Sequence, residues 1–213
     1  MGIKINEIFY SIQGESTYAG EPCVFIRLSE CNLRCSYCDT TYAYKSGEQL
    51  EINQIITKIK EYNCNLVEVT GGEPLLQTDV VSLLHQLIDL QYDVLLETNG
   101  SQSIEDVPDH VIKIVDFKCP SSGMSDKNMW ENIDSLTPFD EVKFVIGNKD
   151  DYVWAKSILK KYELDNKATV LFSPVFNTID PRIIVEWILK DQLNVKFQLQ
   201  LHKIIWDAQQ KGV

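Results

Sequence analysis

Short apolar runs rich in β-branched residues recur along the chain at 23–28 (CVFIRL), 66–70 (LVEVT), 93–98 (DVLLET), 112–117 (IKIVDF), 141–146 (EVKFVI), 169–173 (TVLFS) and 196–201 (KFQLQL), and each reads as a strand. Between most of them the apolar positions return every three and four residues, at 52–62, 80–90, 152–162 and 182–191, which predicts helices. Asp180-Pro181 supplies a cap and a first-turn proline for the last helix. The segment 120–130 (PSSGMSDKNMW) reads as a loop leading into a short helix.

Strands alternating with helices imply right-handed crossovers and a mostly parallel sheet. The helix set is incomplete for a closed eight-fold barrel. The pattern therefore predicts an α/β fold, a partial (β/α) barrel of six or seven mostly parallel strands. No repeat, low-complexity run or linker divides residues 1–213, so one domain is expected. Chemistry in such barrels collects at the carboxyl ends of the strands.

Composition narrows the partners. The charge is 20 − 31 = −11, which argues against non-specific binding to nucleic acid or to an anionic membrane. The N-terminal stretch lacks the apolar core and cleavage site of a secretory signal, and no run of about 20 apolar residues follows. A cytoplasmic, reducing setting is the expectation, and there clustered cysteines mean metal or redox chemistry.

Three cysteines cluster at Cys31, Cys35 and Cys38, directly after the first predicted strand. A structural zinc site wants four closed ligands, and His85, His110 and His202 lie far away in sequence. Thioredoxin-like use of Cys35 and Cys38 would leave Cys31 without a role. A 4Fe-4S cluster held by three thiolates keeps one iron free for a chelating small molecule, so the missing fourth ligand has a use. Cys23, Cys64 and Cys119 are scattered and read as small buried hydrophobes.

Spacings of three and two residues between the cysteines, with Tyr37 before the last, resemble the signature of the radical S-adenosylmethionine (SAM) superfamily. Two further stretches agree. Gly71, Gly72, Glu73 and Pro74 follow the second predicted strand and resemble the superfamily run that meets the SAM amino group, and ETNGS (97–101) ends the third. The resemblance implies a cluster on Cys31, Cys35 and Cys38 whose free iron is chelated by SAM.

FYSIQGES (9–16), FIRLSECNLRCSYCDT (25–40) and QLQLHKIIW (198–206) narrow the resemblance to the 7-carboxy-7-deazaguanine synthase family. That family turns 6-carboxy-5,6,7,8-tetrahydropterin into 7-carboxy-7-deazaguanine with loss of ammonia, for queuosine and other 7-deazapurines. The resemblance implies that Ile12, Gln13, Gly14, Glu15, Arg27, Thr70 and His202 contact the pterin, Arg27 by gripping its carboxylate. It also implies that Tyr37, Asp39, Gly72, Glu73, Asp116, Lys118, Ser173 and Pro174 line the SAM site and that Thr40 is a magnesium ligand. The cofactors are then a 4Fe-4S cluster, SAM and Mg²⁺. The implied partners are the pterin, a one-electron reductant of flavodoxin or ferredoxin type, and a second copy in a homodimer, with Trp154, Trp187 and Trp206 serving the core or that contact.

Two other readings compete. A glycyl-radical-enzyme activase shares the cysteine triplet and the Gly-Gly-Glu-Pro run but not SIQGE or the Thr after Cys-Asp. A non-enzymatic zinc-binding module would hold zinc alone.

Overall fold

The computed structural model describes residues 2–208 and 210–213. Nine strands form one sheet: β1 (Ile3–Ile12), β2 (Pro22–Leu28), β3 (Glu48–Leu50), β4 (Leu66–Gly71), β5 (Asp93–Thr98), β6 (Ile112–Asp116), β7 (Glu141–Ile146), β8 (Thr169–Pro174) and β9 (Lys196–Phe197). Their order is β3-β1-β2-β4-β5-β6-β7-β8-β9. All seven expected strands form, and β2 with β4 to β9 run parallel in chain order. β3 and β9 are the two edges, so the barrel is open.

Two strands were not expected. β1 pairs antiparallel with β2 on one side and β3 on the other. Its sequence IKINEIFYSI hides this because only Ile3, Ile5 and Phe9 are buried, with a bulge between Ile5 and Glu7 breaking the alternation. The opposite correction applies to 196–201, where only Lys196 and Phe197 are strand. Gln198 still donates its N–H to Phe172 O, but its side chain and Leu201 are drawn to the 13–21 connection instead.

The helices are α1 (Ile52–Ile59), α2 (Val80–Asp89), α3 (Lys149–Tyr162), α4 (Pro181–Asp191) and a short α5 (His202–Ile205). Asp180 caps α4 through Arg182 N–H at 3.0 Å, as the Asp-Pro pair predicts. α3 starts before the apolar period does, because Asn148 accepts from Asp151 N–H at 2.9 Å and caps it. The 120–130 segment becomes short 3₁₀ turns. No described helix is long and apolar enough to cross a membrane.

Strand alternation gives the sheet two different faces. One carries Val24, Ile26, Val67, Val69, Val94, Leu96, Val115, Val142, Phe144, Ile146, Val170 and Phe172 into a core with Ile55, Leu83, Leu84, Tyr152 and Ile184 of the helices. Trp154 and Trp187 pack against that core. The other face, the barrel lumen, has an apolar floor of Phe9, Cys23, Phe25, Leu66, Leu95 and Ile114. Above that floor, towards the carboxyl ends, β2, β4, β5, β6 and β7 place Arg27, Thr70, Glu97, Asp116 and Lys143. This polar layer sets the site.

Candidate active site

A cleft of about 800 Å³ opens over that polar layer. The β1–β2 connection folds across the gap in the barrel to complete it. Ser16 N–H donates to Gln198 Oε1 at 2.7 Å, Thr17 N–H to Glu141 Oε1 at 3.0 Å, and Leu201 N–H to Gly14 O at 2.9 Å. Gly14 makes room for His202 here, since a Cβ would stand 2.3 Å from His202 Nδ1. His202 therefore packs on the connection and lines the cleft.

The cysteine loop follows β2 and lies against the first turn after β6, where Ser36 N–H donates to Ser122 O at 3.0 Å. Arg34 braces it, donating to Cys31 O at 2.7 Å and stacking 4.2 Å from the Tyr44 ring. All three thiols are free, half-buried and on the cleft wall. Cys31 Sγ accepts from Leu33 N–H at 3.4 Å and from Asn99 Nδ2 at 3.7 Å, contacts that favour a thiolate. Burial raises the Cys31 and Cys35 thiols, and Lys118 pulls Cys35 back. Among the described residues no three His, Cys, Asp or Glu side chains are placed to share one metal ion. A cubane instead takes each thiolate on a different iron, so this donor set fits a cluster.

The Gly-Gly-Glu-Pro run is structural to a degree the sequence did not reveal. A Cβ on Gly71 would meet Leu28 O at 2.2 Å, and one on Gly72 would meet Glu30 O at 2.0 Å. The glycines let β4 pass under the cysteine loop. Glu73 is fully buried, and its carboxylate accepts from Thr98 Oγ1 at 2.9 Å, Asn99 N–H at 2.7 Å and Leu75 N–H at 3.0 Å. It ties the end of β4 to the end of β5 and faces away from the cleft.

Charge is concentrated in the lumen. Lys143 contacts Glu15 at 3.0 Å, Asp116 at 3.6 Å and Glu97 more closely still. Asp116 also pairs with Lys118 at 2.8 Å, and Thr70 Oγ1 donates to Glu97 Oε2 at 3.1 Å. Burial would raise the Glu15 carboxyl, but Lys143, then His202 and Gln200, outweigh it and lower it to about 2. Burial lowers the His202 imidazole. On the opposite wall Arg27 donates from Nε to Glu7 at 2.8 Å, and Tyr42 donates to the same oxygen at 2.8 Å. Among the described residues Arg27's terminal nitrogens have no hydrogen bond, so they stay available to an anion in the cleft. Asp39 is ion-paired with Lys203 and accepts from Thr40 Oγ1 at 2.9 Å. These contacts outweigh burial and hold its carboxyl well below the usual range.

Sixteen of the predicted site residues line this one cleft: Ile12, Gln13, Gly14, Glu15, Arg27, Cys31, Cys35, Tyr37, Cys38, Asp39, Thr40, Thr70, Gly72, Asp116, Lys118 and His202. Three do not. Glu73 is turned inward by its donors, Ser173 is buried beneath the wall, and Pro174 lines a neighbouring cavity with Phe176 and Ile204. Missed residues include Glu68, Glu97, Lys143 and Gln200, all on lumen positions, and the C-terminal Gly212 and Val213. A polar residue at every second position of a strand was the available signal.

Comparison with known proteins agrees with this architecture. Residues 26–188 match the radical SAM superfamily model. The 7-carboxy-7-deazaguanine synthase of Koribacter versatilis is 43% identical, covering 99% of this chain and 100% of its own. That of Chlorobaculum tepidum is 44% identical, covering 99% and 97%. Among solved structures, QueE from Escherichia coli superposes with a TM-score of 0.80 over 95% of both chains at 21% identity. SuiB of Streptococcus suis, bound to S-adenosylmethionine, shares the fold over 80% of this chain and 45% of its own, at a TM-score of 0.54 and 13% identity. The open parallel barrel, its cysteine loop and these full-length relatives together make the chain a member of the radical SAM superfamily and, within it, of the 7-carboxy-7-deazaguanine synthase family.

Proposed function

We propose that the chain converts 6-carboxy-5,6,7,8-tetrahydropterin to 7-carboxy-7-deazaguanine with release of ammonia, using a 4Fe-4S cluster, SAM and Mg²⁺. The observation that carries this reading is the juxtaposition, in one cleft, of three free thiols with a guanidinium whose outer nitrogens are open.

Cys31, Cys35 and Cys38 would hold the cluster, and Gly72, Tyr37, Asp39, Asp116 and Lys118 would line the SAM site. Bound there, these groups supply the one-electron cleavage that starts a hydrogen abstraction from the substrate. The chain's own residues do the rest. Arg27, fixed by Glu7 and stacked 5.7 Å from Phe9, presents a rigid fork to the substrate carboxylate. Glu15 stays ionised beside Lys143 and accepts N–H groups of the ring. Gln13 and His202 close the same wall. Thr40 offers magnesium one hard oxygen, so the substrate carboxylate must supply others, and the ion binds well only with substrate present. Lumen walls exclude water from the intermediate.

Among the partners we include a one-electron reductant of flavodoxin or ferredoxin type and a second copy of the chain, in the cytoplasm. The test is direct. Reconstitute the cluster anaerobically, add SAM, Mg²⁺, dithionite and the carboxytetrahydropterin, and follow the deazaguanine acid by mass spectrometry. Product that depends on all of them supports the reading, and its absence with intact cluster and SAM cleavage refutes it.

A further inference from the structure

Four carboxylates and two ammonium groups share the lumen, and they are unevenly paired. Glu15 and Glu97 contact Lys143, and Asp116 contacts both Lys118 and Lys143. Glu68 on β4 is the fourth, and among the described residues it forms no ion pair. Its Oε2 accepts from Gln13 Nε2. Gln13 cannot turn to offer anything else, because its own Oε1 accepts Glu15 N–H at 3.0 Å. Glu68 is 3% exposed, yet it lines the cleft, level in register with the floor residues Phe25 and Leu95. The titratable groups that act on it are Glu15 from the β1–β2 connection, Cys23 from β2, Glu97 from β5 and Lys143 from β7. A buried acid without a cation, beside other carboxylates, keeps its proton.

We propose that Glu68 stands in the cleft as the neutral acid and is the proton donor for the departing amine. This rests on the synthase reading. In the elimination the C–N bond breaks with its electron pair going to nitrogen, and the Glu68 proton completes ammonia. The adjacent ring C–H bond gives its pair to the new C=C bond, and its proton restores the Glu68 acid. No electron is gained or lost, and the donor is reset in each turnover.

Position and environment support the role. Thr70 lies in register with Arg27, and Glu68 stands two residues below Thr70. That is about 6–7 Å along the strand from the level of the substrate carboxylate. Burial, then repulsion from Glu97, pushes Glu68 up to about 8 against the pull of Gln13 and Lys143. A donor working near neutral pH needs such a value.

The test uses the full-length, anaerobically reconstituted enzyme and Glu68→Gln, which still accepts from Gln13 but carries no acidic proton. Product formation should fall by roughly 100-fold or more, as for loss of a general acid. Hydrogen transfer from substrate should fall much less, and an amine-bearing precursor should accumulate. Wild-type turnover should decline as pH rises through about 8, and the variant should lack that limb. Unfolding gives an independent readout. An acid raised from 4.5 to about 8 keeps its proton in the folded state only, so wild-type stability falls as pH rises between those values. Glu68→Gln removes that slope and gains stability relative to wild type at pH 8. Wild-type rate and pH profile in a productive Glu68→Gln enzyme would overturn the proposal while leaving the synthase reading intact; an unchanged stability slope would overturn it without any turnover. No product from wild type would instead remove the reading on which it rests.

Discussion

Phe144 and Lys143 are neighbours in β7, and they enter two unlike regions. Phe144 turns to the helices and packs at 5.8 Å from Phe172 and 6.1 Å from Trp154. Lys143 turns to the lumen and meets three carboxylates. The helix-side region follows the rule for a core, since apolar surface removed from water stabilises it. The lumen breaks that rule with buried charge, and a buried pair gains little over an apolar pair of the same volume. The two faces of one sheet thus differ in kind, one packed as a core and the other gathering buried charge around the cleft.

The division breaks most sharply at the cysteine loop. Cys31→Ala, Cys35→Ala and Cys38→Ala should each abolish deoxyadenosine formation. The thermal midpoint of the apoprotein should hardly move, because these half-buried thiols support no core. Calorimetry beside a SAM-cleavage assay checks both. Phe144→Ala is the mirror case. It should cost about 3–5 kcal/mol by urea unfolding, with no specific loss of turnover in the folded fraction.

Acid stability tests the lumen charge. Glu15, lowered to about 2 from 4.5, stabilises the fold fully above pH 4.5 and loses that contribution as pH falls towards 2. The contribution is about 3 kcal/mol. Glu15→Gln should flatten that acid limb in urea midpoints measured across the range. Arg27→Lys comes next, since the fork is replaced by a point charge. Pterin binding should weaken by roughly 10- to 150-fold, equivalent to about 1.5–3 kcal/mol, with SAM affinity nearly unchanged by calorimetric titration. Thr40→Ala should have the smallest effect. It should leave stability and SAM cleavage in place and remove only the magnesium stimulation of product, whereas Thr40→Ser keeps much of it.

Most of this division was legible in the chain. The seven parallel strands and the four longer helices follow from period, and the cysteine loop follows from spacing. β1 escaped because an antiparallel strand with a bulge keeps only three of its residues buried. β9 is shorter than its pattern suggests because Gln198 and Leu201 are held by the 13–21 connection, a contact between segments some 180 residues apart in sequence. Glu68, Glu97 and Lys143 alternate with apolar neighbours that face the helices, so their shared face is legible, but which of them meet across strands needs the register. Glu73 shows the reverse. Its motif reads as ligand-binding, but the Leu75 and Asn99 N–H groups and the Thr98 hydroxyl use up its carboxylate.

On the synthase reading the lumen of the open barrel performs the radical conversion. The most direct test of that reading is substrate carrying deuterium on the carbon that bears the carboxylate, given to the anaerobic, reconstituted enzyme with SAM and Mg²⁺. Deazaguanine acid is the expected product, with deuterium recovered in the 5′-deoxyadenosyl group, as released 5′-deoxyadenosine or in re-formed SAM. Product formed with no deuterium in that group, or deuterium transfer that survives in Cys35→Ala, would contradict the reading.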